Sequence, residues 1–128
     1  MDNYIFVYGT LLTEERNHYL LENSILIGNG YIKDYFMFNV GTYPGIQKSK
    51  YNNKIVLGEV YKVNDETMVL LDELEEVGYL YKKELVPVYL DNDEIVNSYV
   101  YEYILKNYEE NSIVNEYNWK KIKWLSIR

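Results

Sequence analysis

Hydrophobic positions along this chain follow two periods, and the changes between them mark out its elements. An apolar run, "YIFVY", ends at Gly9 and reads as a buried first strand. "TEERNHYLLEN" follows as a short helix, with Thr13 at the N-cap, Glu14 and Glu15 in the first turn, and Leu20 and Leu21 as a small apolar face. "SILIGNGYIKDYFMFNV" reads as an extended segment bent at Gly28 and Gly30. "GTYPGI" is a loop whose turn falls at Pro44–Gly45. "KIVLGEVYKV" alternates as a strand, and "NDETMVLLDELEE" has the helical period with Asn64 or Asp65 as its cap. "YLYKKELVPVYL" and "IVNSYVYEYIL" are two strands joined by a hairpin at "DNDE". A final amphipathic segment covers residues 114–125.

This order gives more strand than helix and predicts an α+β fold, a curved mixed sheet or small barrel with two packed helices. A length of 128 residues suits one domain over residues 1–128. No apolar run approaches the roughly 20 residues that span a bilayer. The start lacks a basic leader region and the chain has no cysteine, so a reducing cytoplasm is the expected home. The net charge of −7 argues against nucleic acid and against anionic membranes as partners. The one basic cluster, "WKKIKW", reads as solvent-facing lysines near a helix end. The 16 tyrosines fit strand-rich structure better than a base-stacking platform in so acidic a chain.

The same inventory removes several chemistries. Without cysteine there is no thiolate nucleophile and no thiolate-ligated zinc. His18 is the single histidine; Glu15 and His18 have the i,i+3 spacing of a carboxylate-bridged metal site but lack its second copy, so no metal site is expected. There is no G-x-S-x-G, and "YGTLL" lacks the lysine and second glycine of a phosphate loop.

Two features remain. In "VYGTLL" a strand ends at glycine and passes toward a helix; successive backbone N–H groups at such a junction form an anion-binding nest, or simply an ordinary turn. The second is four acids, Asp72, Glu73, Glu75 and Glu76, at a helix C-terminus that favours cations. At about 100° per residue, Leu70, Leu71 and Leu74 gather on one side with Met68 at its edge. Asp72, Glu73 and Glu76 fall opposite, whereas Glu75 lands between Leu71 and Met68. Desolvation, neighbouring charges and the helix end would each raise the pKa of an inward Glu75 and suit it to proton transfer near pH 7. The phase equally allows a flank glutamate reaching out to water.

"FVYGTLL", "GTYPGI", "LGEVYKV" and "LDELEEVGYLYKK", in this order over roughly residues 4–105, resemble the gamma-glutamylcyclotransferase-like family, in particular its small bacterial and gamma-glutamylamine-type members. The resemblance implies a small mixed β-barrel with flanking helices and release of 5-oxoproline from a γ-glutamyl amine or dipeptide, a small-molecule substrate, with no cofactor required. It assigns glutamyl binding to the loop Tyr8, Gly9, Thr10 and Leu11, the catalytic carboxylate to Glu75, and a further site position to Tyr81. Selectivity for the leaving amine is expected from "GTYPGI" and from the tail from Tyr108 onward. The chain departs from the pattern at Glu76, where the family commonly has glycine, and at Leu12, where it often has a basic residue. The rival expectation is a non-catalytic domain on the same fold that binds a γ-glutamyl compound or other small carboxylate. No pattern in the chain bears on oligomeric state.

Overall fold

A closed five-stranded β-barrel organises the computed structural model of the protein, which describes residues 3–122. Its strands are β1 (Asn3–Val7), β2 (Ile25–Lys33), β5 (Ile55–Val63), β6 (Tyr81–Leu90) and β7 (Ile95–Tyr103). They run β1-β7-β6-β2-β5 around the barrel, and β1 closes it by pairing with β5 as well as β7. The β1–β5 ladder is antiparallel, from Asn3↔Val63 to Val7↔Glu59, whereas β1–β7 is parallel at Ile5↔Tyr99. The sheet is therefore mixed, as the element order predicts. β3 (Tyr35–Asn39) and β4 (Pro44–Lys48) form a separate antiparallel hairpin, and a two-residue strand, β8 (Glu116–Tyr117), pairs in parallel with β5.

β1 is central because its residues are apolar on both faces. Ile5 and Phe6 are fully enclosed and Val7 nearly so, as expected of a strand with neighbours on either side. Val56, Val60, Val88 and Val100 from the other strands complete this packing. The helix α1 (Asp65–Leu74) starts where the sequence places it: the Asn64 side chain accepts a hydrogen bond from the Thr67 amide at 2.8 Å.

Four local expectations are corrected. Thr13 is no N-cap, because its amide and hydroxyl both donate to Glu59 Oε1 on β5; Glu14 then turns into the left-handed region, and only a 3-10 turn, His18–Leu21, remains of the helix. The extended segment after it bends at a bulge between Leu26 and Gly28 and at Asp34 (φ 66°). Gly30 is flat but indispensable for another reason: a Cβ there would lie 2.5 Å from the Tyr89 carbonyl oxygen on β6. The turn in "GTYPGI" lies ahead of Pro44, at Gly41–Thr42, closed by the Val40 amide on the Tyr43 carbonyl, and Pro44 opens strand β4. That strand has only β3 beside it, so the missing proline N–H leaves no ladder unpaired.

After β7, residues 111–114 are pinned by a buried lysine, and the amphipathic segment expected over 114–125 contains the short strand β8. Lys54 is fully enclosed, and its ammonium donates to the backbone carbonyls of Asn111 and Val114. Helical geometry begins only at Trp119, and positions 123–125 of the expected segment, with part of "WKKIKW", lie outside the described residues. No helix among the described residues is long and apolar enough to cross a membrane.

Candidate active site

The loop leaving β1 is fixed from several directions. The Leu12 amide donates to the Gly9 carbonyl, the Asn17 amide to the Thr10 carbonyl, and the Asn17 side chain to the Thr10 hydroxyl at 2.9 Å. His18 Nδ1 lies 2.9 Å from the Leu11 carbonyl oxygen. These bonds consume carbonyls and leave three successive amides, those of Gly9, Thr10 and Leu11, with no acceptor among the described residues. All three residues line a cavity of about 190 Å³. Successive unpaired backbone N–H groups are the makings of an anion site. Gly9 is demanded here by crowding: a Cβ would approach Pro44 Cγ to 2.5 Å.

The end of α1 forms the opposite wall, because Leu74, Glu75 and Glu76 line the same cavity. The buried stripe of the helix is narrower than the leucine pattern suggests. Met68 and Leu71 are enclosed, but Leu70 is 50% and Leu74 38% exposed. Met68, Leu71 and Glu75 therefore share one face, and Glu75 sits on that face, not on its flank. Glu75 is partly exposed as a residue because it opens on the cavity, yet burial pushes its carboxyl up to about 7 from the ordinary 4.5. The neighbouring acids, expected to assist, do not contribute to that rise.

Three tyrosines surround this carboxyl, and each feels its charge: Tyr8 just after β1, Tyr81 from β6 and Tyr101 from β7. All three hydroxyls are raised, foremost by burial. All three also donate elsewhere. Tyr8 gives its hydrogen to the Tyr101 carbonyl at 2.5 Å, Tyr81 to the Pro44 carbonyl at 2.6 Å, and Tyr101 to Asp72 Oδ1 at 2.8 Å. Glu75 thus receives no side-chain hydrogen bond among the described residues, which is why burial acts on it uncompensated.

The cavity gathers every residue that the sequence nominates, Tyr8, Gly9, Thr10, Leu11, Glu75 and Tyr81. Residues 5–121 match the family described as gamma-glutamyl cyclotransferase, AIG2-like. The chain belongs to this family. It is 37% identical over 82 residues to the gamma-glutamylcyclotransferase family protein YtfP of Citrobacter rodentium, covering 64% of this chain and 69% of that one. It is 40% identical over 73 residues to the gamma-L-glutamyl-butirosin B gamma-glutamyl cyclotransferase of Niallia circulans, covering 56% of this chain and 45% of that one. Among solved structures, YkqA of Bacillus subtilis superposes with a TM-score of 0.78 at 28% identity, over 99% of this chain and 43% of that one.

Against the family pattern, Glu76 acquires a conformational meaning. The helix ends in a Schellman arrangement, in which the Glu76 amide donates to the Glu73 carbonyl and the Val77 amide to the Asp72 carbonyl, each at 3.1 Å. The residue between must be left-handed, and Glu76 has φ 48°. Glycine is the usual choice there for its backbone. Glu76 keeps the same turn and points an exposed carboxylate to the cavity rim.

Sequence reasoning missed Arg16, Asn17 and Tyr101, all of which line the cavity. Arg16 and Asn17 arrive there because the expected helix is a folded-back loop, and Tyr101 comes from a strand with no motif of its own. "GTYPGI" does contribute, through Tyr43 and Pro44; Tyr108 instead lines a different cavity, of about 700 Å³, beside Gln47 and Glu102.

Proposed function

We propose that this protein is a γ-glutamylcyclotransferase that releases 5-oxoproline from a γ-glutamyl amine or dipeptide, with Glu75 as its general acid and base. The observation that carries this reading is one carboxyl held near 7 across a small cavity from three unpaired backbone amides. A carboxyl at that value is close to half ionised at neutral pH, so it takes and returns protons readily.

In the proposed reaction the substrate's α-nitrogen attacks its own γ-carbonyl carbon. A new C–N bond closes a five-membered ring, and Glu75 removes the proton that the nitrogen must lose. The carbonyl electrons move to oxygen, then return as the bond to the leaving amine breaks, and Glu75 passes its proton to that amine. Bonds and protons balance with no redox change. The amides of Gly9, Thr10 and Leu11 suit the substrate's α-carboxylate or the transient oxyanion. Holding a flexible γ-glutamyl chain curled for ring closure supplies much of the acceleration, because the step is intramolecular. The relative named for γ-glutamyl-butirosin B supports this reaction class.

The test is 5-oxoproline release from a panel of γ-glutamyl amines and dipeptides, with Glu75→Gln alongside. The expected result is turnover of at least one member and its loss, by more than about 10²-fold, in the variant. Ligand-induced stabilisation without product would instead assign a binding domain, and full activity of Glu75→Gln would remove Glu75 from the chemistry.

A further inference from the structure

Of the three hydroxyls around Glu75, two are held by backbone carbonyls, which no side chain can replace. The third differs. Tyr101 donates to a side chain, Asp72 Oδ1, at 2.8 Å, with Met68 Sδ 3.8 Å away. Asp72 is in turn gripped from outside, with Lys83 Nζ on its other oxygen at 2.9 Å. Asp72, expected on the solvent side, instead faces Tyr101; it lies three residues before Glu75, and side chains at that spacing are neighbours about 5–6 Å apart at Cβ. The Tyr101 hydroxyl therefore sits one side chain away from Glu75, and Asp72 decides which way it points.

We infer that Asp72 is a positioning residue: by taking the Tyr101 hydroxyl hydrogen, it keeps that donor off Glu75 and leaves both Glu75 oxygens to the substrate's nitrogens. This rests on the reading of Glu75 as the proton-transferring group. A phenol hydrogen bond to Glu75 would favour its charged form and lower its proton affinity. It would also block an oxygen that the nucleophile needs. Lys83 makes the arrangement durable, because its ion pair fixes the Asp72 carboxylate from the other side. The other charged or titratable groups facing Glu75 are Tyr8, Tyr43 and Tyr81, with Arg16 and Glu76 at the rim. Arg16 is engaged with the Thr42 hydroxyl at 3.4 Å. None of these stands in for the contact between Asp72 and Tyr101.

Four full-length proteins test the inference: wild type, Asp72→Ala, Tyr101→Phe and the double variant. The Glu75 side-chain carboxyl carbon is followed by NMR through a pH titration without substrate, assigned by its absence in Glu75→Gln. The acid limb of kcat/KM for 5-oxoproline release is measured in parallel. Asp72→Ala should move the Glu75 midpoint and the acid limb down by about one pH unit. Adding Tyr101→Phe should restore both, because the freed donor is gone. A midpoint that stays put in Asp72→Ala overturns the inference. So does one that stays low in the double variant, since the loss of the Asp72 charge would then be the cause. Tyr101→Phe alone decides the matter if Asp72→Ala does not fold: an unmoved midpoint supports the inference, and a shifted one shows that the hydroxyl already reaches Glu75. The NMR titration needs no turnover, so absence of 5-oxoproline would count against the proposed reaction while leaving this readout intact.

Discussion

Replacing Glu75 by Gln should make the protein more stable, and increasingly so as the pH rises. Glu75 binds its proton at about 7 in the folded chain and near 4.5 when unfolded. The folded state therefore holds the proton more tightly, and the stability linked to it is complete below pH 4.5 and lost as the pH climbs through 7. Each pH unit in that window is worth about 1.4 kcal/mol. The window from 4.5 to about 7 thus removes about 3 kcal/mol, most of it gone by neutrality. Glutamine does not titrate. Its stability differs from that of protonated glutamate by a constant, and the gap between the two proteins should widen by about 3 kcal/mol between pH 4 and pH 8. Urea unfolding at several pH values, followed by tryptophan fluorescence, measures this directly. Parallel stability curves would refute the reasoning, as would a wild type that gains on the variant as the pH rises. Either result would mean that Glu75 is compensated by a donor or cation in solution.

Four further outcomes follow from other contacts. Glu76→Gly should raise stability by about 0.5–1 kcal/mol, since a left-handed side-chain residue costs about 1–2 kcal/mol and glycine returns part of that as unfolded-state entropy; a lowered melting temperature would contradict the assigned cap. The same variant should leave the Glu75 midpoint in place, because burial and not Glu76 sets it. Gly9→Ala should cut kcat/KM by about 10–100-fold, as a Cβ 2.5 Å from Pro44 Cγ must displace the loop. Asn64→Ala should destabilise by about 1 kcal/mol in urea unfolding, through loss of the bond to the Thr67 amide.

What the sequence reveals of this site is what local rules control. Glycine after an apolar strand marks the loop, and helical phase singles out Glu75 among four acids. The phase argument nonetheless ranks Leu70 and Leu74 as buried, although both are largely exposed, because periodicity reports one face of a helix and not how wide a strip its neighbours cover. Thr13 has every mark of a cap and loses that role to Glu59, a residue 46 positions away. Tyr101 and Arg16 reach the cavity through barrel closure and a loop reversal. Neither has a local signature, since non-local contacts place both.

The barrel's closing strand also sets a clock on synthesis. β1 leaves the ribosome first, yet its partners on either side, β5 and β7, lie up to residue Tyr99. At about 5–20 residues per second, the chain waits on the order of ten seconds for its second neighbour. During that interval "YIFVY" keeps at least one open apolar edge, the kind of segment that templates mispairing between nascent copies. The bond from Tyr8 to the Tyr101 carbonyl forms only at the end of this wait, so the loop after β1 and the barrel seam mature in a single late event. The net charge of −7 is then a safeguard of assembly, since mutual repulsion keeps unfinished chains apart until the seam closes.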